Sequence, residues 1–335
     1  MRSHIIFVIF CFTSFQAATA DDKSAIIDAW SRRQERVHSF HFEWDQVMRK
    51  LAAPGGGGSP DAATRVWTEV SQRGEFRLSG DRIDNRLSSE SGAATTTPGF
   101  LRGTYDGNSS RRYGQQAPDA TQTGTGYVNS VPYAYGVREA EVAPLLLTYR
   151  PLHPVIGKID PKRSEVLPQK RQIGEHVCLI LQVNSPSGVV DTYWVDPSRD
   201  YIILRYTSAF QGRDSVRLDI EYERNQVNEW VPKKWRRALV DENGQPRLTK
   251  EASMTRSEVN VSIPAAEFAF DFPDGTVVFD QSGGNQSRPQ TYWVGESPAD
   301  GRAARDHMRL LVGVIVAGVT IVMLFFYARR AWQHA

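Results

Sequence analysis

Residues 215–223 have the sequence SVRLDIEYE, and this stretch indicates the fold. Val216, Leu218 and Ile220 alternate with charged residues, so an extended strand here has one apolar face and one polar face. Such alternation is typical of an antiparallel sheet that is buried on one side and solvated on the other. The stretch therefore predicts a β-structure in which neighbouring strands pair antiparallel.

Further strands and two helices are predicted around this stretch. A helix follows Ser24, which is a suitable cap, and a short helix covers residues 137–149, ending before Pro151. The pattern predicts a mainly β chain (α+β) with about ten to twelve strands. The predicted strands cover residues 39–48, 64–72, 75–78, 99–105, 111–113, 175–182, 189–195, 201–207, 215–223, 230–240 and 247–256.

Two apolar stretches lie at the ends of the chain. In residues 1–20 a basic start precedes an apolar run and then Ala18-Thr19-Ala20, which is typical of a signal peptide; an uncleaved signal anchor is the alternative. Residues 310–328 carry no charge and are long enough to cross a bilayer as a helix. We therefore expect a single-pass membrane protein with a periplasmic β domain over 21–280, a flexible tether over 281–309, a transmembrane helix over 310–328 and a short cytoplasmic tail over 329–335.

Composition excludes several classes of function. The 335-residue chain has a formal net charge of +2 and no nucleic-acid-binding motif, so no nucleic-acid partner is expected. Outside residues 1–20 the sequence has one cysteine, Cys178, in an apolar run where a thiol behaves as a small hydrophobe. No HExxH or GxSxG motif is present, and we expect neither catalysis nor a cofactor.

Metal binding is not expected either. His38 and His41 are three residues apart in a strand region, so their side chains would point to opposite faces. Asp191, Asp196 and Asp200 suggest a calcium loop, but they lack the spacing of such loops and a hairpin turn explains two of them.

One segment suggests a family. Residues 191–205, DTYWVDPSRDYIILR, contain an Asp196-Pro197 turn between two strand patterns. The segment resembles the lipoprotein carrier and receptor superfamily of LolA, LolB and the RseB-type periplasmic sensors, in which a Trp-hydrophobe-Asp-Pro turn links two central strands. The opening helix, the strand over 40–44 and a closing strand and turn over 268–276 agree with this resemblance.

The resemblance implies a strongly curved antiparallel sheet that forms an incomplete barrel, with an apolar concave side that holds acyl chains beneath short helices. The helix over 137–147 would then be the plug. An ordinary filled core is the alternative interpretation of the same residues. The implied ligand-binding residues are Phe40, Phe42, Trp44, Trp67, Phe76, Leu78, Leu145, Leu146 and Trp194.

Two functions follow as hypotheses. The first is a membrane-tethered extracytoplasmic module that binds a lipid or an acylated protein in the apolar concave sheet. Its alternative is an envelope scaffold or sensor that acts through protein–protein contacts without a small ligand. An apolar cavity of about 300–1,000 Å³ would favour the first, whereas a filled core would favour the second.

Overall fold

The computed structural model describes residues 20–51, 67–89, 99–115, 124–130, 139–154, 156–157, 159–283 and 289–295. These residues contain two α-helices, α1 (Ala20–Arg36) and α2 (Glu139–Tyr149), and fifteen strands. In chain order the strands are β1 (Ser39–Leu51), β2 (Trp67–Ser79), β3 (Arg82–Ser89), β4 (Phe100–Tyr105), β5 (Ser110–Gln115), β6 (Thr125–Asn129), β7 (Ser164–Ile173), β8 (His176–Asn184), β9 (Val189–Asp196), β10 (Ile202–Phe210), β11 (Arg213–Arg224), β12 (Trp230–Val240), β13 (Pro246–Val259), β14 (Val277–Gln281) and β15 (Gln290–Trp293).

All described strands belong to one open sheet. Its order is β15-β14-β6-β5-β4-β3-β2-β1-β13-β12-β11-β10-β9-β8-β7, so β15 and β7 are the two edges. Neighbours pair antiparallel except β6 and β14, which are parallel. Hairpins account for most neighbours, but β1 pairs with β13, and this contact between distant parts of the chain joins the two halves of the sheet.

The predicted fold of ten to twelve strands in an incomplete barrel is wrong, because the described sheet is open and has fifteen strands. The sequence predicts two strands, over residues 64–72 and 75–78, whereas β2 is continuous from Trp67 to Ser79; residues 64–66 lie outside the described residues. Gly74 lies within this continuous strand, and its lack of a side chain leaves room for the Trp44 ring, which lies where a Cβ would project. The closing strand expected over 268–276 is also wrong: Ala265–Phe268 is a 3-10 turn and β14 begins only at Val277.

The predicted membrane topology needs correction as well. The two described helices have 17 and 11 residues, and nowhere in the described ranges is a helix long and apolar enough to cross a membrane. The single-pass topology, and the periplasmic location inferred from it, are therefore not supported. The predicted span 310–328, the tail 329–335 and residues 1–19 of the predicted signal peptide lie outside the described residues. β15 lies within the predicted tether.

Helix α1 is attached to the turn between β9 and β10. The Trp30 indole Nε1 donates to the Tyr201 carbonyl at 2.7 Å. The buried Arg33 guanidinium donates to the Thr148 carbonyl at the end of α2 and to the carbonyl and carboxylate of Asp200. Asp200 and Tyr201 both have positive φ, 54° and 56°, and the carbonyls of both accept hydrogen bonds from α1 side chains. One arginine thus joins both helices to the predicted Asp-Pro turn.

The sheet has an inner face, covered by the helices, and an outer face. On the inner face the buried side chains of α1, α2 and nine of the described strands form a single apolar core. On the outer face Tyr113 of β5, Phe272 and Val278 form a small apolar cluster where the chain that leads to β14 packs on the sheet. A second apolar cluster on this face contains Cys178, Ile202 and Leu204. Elsewhere on the outer face, charged residues occupy many of the alternate strand positions.

Residues 261–276 form a segment that crosses the outer face of β2 to β5. Its Glu267 accepts a hydrogen bond from Arg77 at 2.6 Å, and Arg102 donates to the Glu267 carbonyl at 3.0 Å. Beneath it, the fully buried Asp84 pairs with Arg86 at 2.9 Å and with Arg102 at 2.8 Å. A buried carboxylate needs such compensation. The ion cluster therefore attaches this segment to the sheet.

Candidate functional site

Seven of the nine side chains predicted to line an apolar cavity lie in the core beneath the helices, with exposed fractions of 0–1%. Their rings contact one another: the Phe40 centroid lies 4.9 Å from that of Phe42 and 5.5 Å from that of Phe76. Trp44 packs on Trp235 at 5.7 Å. These are the contacts of an ordinary core. That any of the seven contacts a ligand stays a prediction. The seven are Phe40, Phe42, Trp44, Phe76, Leu78, Leu145 and Leu146.

The two remaining residues lie elsewhere. Trp67 begins β2 and is 38% exposed. Trp194 faces outward, since its neighbours Tyr193 and Val195 are the β9 residues in the core. The Arg205 guanidinium lies 5.9 Å from the Trp194 ring. The structure therefore does not bring these two tryptophans together with the other seven.

A groove of about 1510 Å³ crosses the outer face, and we call it the trough. It runs across the strands from β3 to β10 and reaches the turn between β7 and β8. Six Lys or Arg residues and five acidic residues line it, so its charge is nearly balanced. The lining residues are Asp45, Gln46, Val47, Arg49, Ser71, Gln72, Arg73, Ser88, Ser89, Ile173, Gly174, Glu175, His176, Arg199, Leu204, Arg205, Asp219, Ile220, Glu221, Tyr222, Lys234, Trp235, Arg236, Glu251, Ala252 and Ser253.

Two rows of outward-facing side chains border the trough. Residues in each row are opposite one another on adjacent strands, because the strand registers align them. Charges of opposite sign alternate along much of both rows. The first row, from β2 to β11, is Arg73, Asp45, Ser253, Lys234 and Glu221; the second, from β2 to β10, is Ser71, Val47, Glu251, Arg236, Asp219 and Arg205.

Most charges of the second row are paired with each other. Arg236 contacts Glu251 at 3.3 Å, and Arg205 donates to Asp219. Opposite charges that face each other across strands stabilise a sheet by about 0.2–1 kcal/mol per pair. The second row is therefore largely self-compensated, and its net field is small.

The end of the trough at the β7–β8 turn is held by a buried carboxylate. Asp196, which is 1% exposed, accepts from the Ser198 amide at 2.9 Å and the Ser198 hydroxyl at 2.7 Å. Its other oxygen lies 3.2 Å from His176 Nδ1, and Arg199 donates to His176 Nε2 at 2.5 Å. The Asp-Pro turn that the sequence singled out thus fixes one wall of the trough.

The three carboxylates considered for calcium, of Asp191, Asp196 and Asp200, each have a different partner in the structure. Asp191 accepts a hydrogen bond from the Tyr206 hydroxyl at 2.9 Å, Asp196 caps its own turn, and Asp200 pairs with Arg33 at 3.1 Å. The three carboxylates therefore bind three separate groups of the protein.

Cys178 is fully buried, as predicted. Burial, with a smaller contribution from the nearby Asp196, raises the pKa of its thiol to about 11. The thiol is therefore protonated near neutral pH and is a poor nucleophile.

His41, Glu43 and Glu75 form a cluster whose ligand atoms lie within 4.8 Å of one another, a spacing that a metal ion could use. Both carboxylates already face guanidinium groups. Arg73 contacts Glu43 at 2.5 Å, and Arg86 lies 3.5 Å from Glu75. These cations supply the charge compensation that a metal would give and would repel one. Sequence reasoning missed the cluster because Glu75 comes from a different strand.

No protein-family model matches this chain, and neither does any curated protein. Among solved structures it is similar to an uncharacterized conserved protein from Thermus thermophilus, with 7% identity, a TM-score of 0.32, and 78% of this chain and 99% of that chain covered. It is also similar to MucB in complex with MucA(peri), with 10% identity, a TM-score of 0.26, and 75% and 60% covered. Likenesses this weak do not define a function, and membership of the LolA-like superfamily stays a prediction.

Sequence reasoning examined the inner face and missed the trough. Taken alone, the alternating charges of β11 indicate only the solvated side of a strand. The signal that could have pointed to the trough is that Arg217, Asp219 and Glu221 carry both signs on one face. Which charges stand opposite them depends on strand order and register.

Proposed function

We propose that this chain binds an extended polypeptide segment in the trough. The main support for this proposal is the trough itself, which combines a volume of about 1510 Å³ with alternating charges of both signs. Small-molecule pockets are mostly apolar and measure about 300–1,000 Å³. A larger, polar and nearly neutral groove suits a polypeptide, which offers backbone amides and side chains of both signs.

The dimensions support this occupant. From β2 to β10 the second row spans five strand spacings of about 4.8 Å, or about 24 Å in all. An extended chain advances about 3.3 Å per residue, so about seven residues fill the trough.

The protein-contact hypothesis is thus favoured over a lipid or acyl ligand. An acyl chain needs an apolar lining that is free to receive it, and the predicted lining side chains Phe40, Phe42 and Phe76 pack against each other instead. The balanced charge of the trough does not favour a polyanion, because nucleic acids bind through clustered Lys and Arg residues.

The test blocks the trough sterically. A phage library of random peptides of about seven residues, the length that spans the trough, is selected on the purified full-length chain. The dissociation constants of selected peptides are measured by fluorescence anisotropy. Ser253 lies exposed on β13 and lines the trough, so Ser253→Trp should raise the dissociation constant at least tenfold.

Thr255→Trp is the matched control, since Thr255 is exposed on the same strand at a bulge and is not among the trough residues. It should change the dissociation constant less than twofold. Failure to select any peptide, or equal binding by wild type and Ser253→Trp, would overturn the proposal.

A further inference from the structure

We propose that Lys234 and Glu221 determine which polypeptide the trough accepts, by binding an acidic and a basic side chain that lie two positions apart in the partner. This inference rests on the proposed function and adds the partner's charge pattern to it. The two residues stand opposite each other on β12 and β11, at the end of the first row of the trough.

The first observation is that these two charges are free. Both side chains are exposed, and within the described part of the chain neither forms an ion pair. Their neighbours in the trough are engaged: Arg236 contacts Glu251, and Arg73 contacts Glu43. A partner would therefore meet the unpaired Lys234 ammonium directly beside the unpaired Glu221 carboxylate. Asp45, on the other side of Ser253 in the first row, is also without an ion pair among the described residues, whereas the remaining charges of the two rows are paired.

The second observation explains why two opposite charges face each other without pairing. The register between β11 and β12 shifts directly after Glu221, because Lys233 is an extra residue on β12. Its ammonium pairs with Glu223 at 3.0 Å, on a part of the strands that does not line the trough. Bulges of this kind re-aim the adjacent side chains and are common at binding sites. Here the bulge separates a paired Lys–Glu couple from an unpaired one.

The spacing of the two charges defines the partner. Adjacent strands are about 4.8 Å apart, whereas residues i and i+2 of an extended segment lie about 6.6 Å apart on one face. Long Lys and Glu side chains cover the difference of about 2 Å. A segment that crosses the strands thus places an acidic residue over β12 and a basic residue over β11.

The experiment exchanges the two charges. Peptides selected on the wild-type full-length chain should be enriched in an acidic and a basic residue two positions apart, in a fixed order along the segment. Lys234→Glu should weaken such peptides at least tenfold. The double variant Lys234→Glu with Glu221→Lys should select peptides in which the order of the two charges is reversed.

The bulge provides the matched control. The control variant Lys233→Glu with Glu223→Lys exchanges one positive and one negative charge on the same two strands, but outside the trough. It should leave the charge pattern of the selected peptides unchanged. If peptides bind and Ser253→Trp blocks them, but no charge order is enriched or none is reversed by the exchange, this inference is overturned and the proposed function stands. If Ser253→Trp blocks no peptide, the proposed function fails, and this inference fails with it.

Discussion

The two faces of β1 differ completely although they share one backbone. Phe42 and Trp44 point inward and are fully buried among apolar side chains. Glu43, between them, points outward and lies against Arg73 and Arg256. A step of one residue thus leads from the core to a charged surface. The difference teaches that stability is concentrated on the inner face, whereas a recognition surface can form on the outer face without disturbing it.

The strongest test of this separation removes a ring from the inner face. Phe42→Ala should lower the free energy of unfolding by about 4 kcal/mol, because it removes a buried aromatic side chain and leaves a cavity. Asp45→Ala changes an exposed residue on the outer face of the same strand, and its effect should stay within about 0.5 kcal/mol. Urea unfolding followed by circular dichroism measures both. Similar losses for the two variants would show that the faces are not energetically distinct.

The inner face also contains a buried ion pair, between Lys250 of β13 and Glu141 of α2, which are 7% and 3% exposed. Lys250→Met leaves the Glu141 carboxylate without its cation, and we expect a loss of about 3 kcal/mol. Gln46 also donates to this carboxylate, at 3.3 Å, but a neutral amide does not replace the charge.

The double variant Lys250→Met with Glu141→Leu should recover most of that loss, since two apolar side chains of similar size can replace a buried ion pair. Urea unfolding of both variants checks this. A double variant as unstable as Lys250→Met alone would mean that the lost stability arises from packing rather than from the uncompensated Glu141 carboxylate.

The inner face could be predicted from the sequence in large part, because its signal is local. Alternation of apolar and polar residues placed β11 and β12 correctly, and β12 has the predicted bounds of 230 and 240. β7 gave no such signal: it lies at a sheet edge and contains Pro168 followed by a polar run, so few of its residues are buried. β14 joins the rest of the sheet through its parallel pairing with β6, about 150 residues away, and no local pattern encodes that contact.

The outer face could not be predicted in the same way. The trough depends on β13 lying between β1 and β12, which places Ser253 opposite both Asp45 and Lys234. These contacts include one that joins residues about 200 positions apart. A single shift in register would pair different charges and remove the alternation. The residues were visible in the sequence, but their juxtaposition was not.

The smallest expected effect lies on the outer face and depends on pH. A hydrogen bond from Arg73, opposed by burial and assisted by Arg256, lowers the pKa of Glu43 below its usual value of 4.5. Burial raises the pKa of Glu75, but the hydrogen bond with His41 and the charges of Arg77 and Arg86 outweigh it and lower the pKa overall. A carboxylate whose pKa is lower in the folded state stabilises the fold above its unfolded pKa.

Glu43→Gln should therefore cost at most about 1 kcal/mol at pH 7, as expected for a pair at the surface. The difference from wild type should shrink as the pH falls below 4.5, because the wild-type carboxylate then becomes protonated while the amide does not titrate. Glu69→Gln, in the exposed pair with Arg49, is the control and should cost less at pH 7. Urea unfolding at pH 7 and at pH 3 measures both variants. A cost for Glu43→Gln that persists at pH 3 would show that Glu43 acts through its shape and not its charge, so the outer face would resemble the inner one.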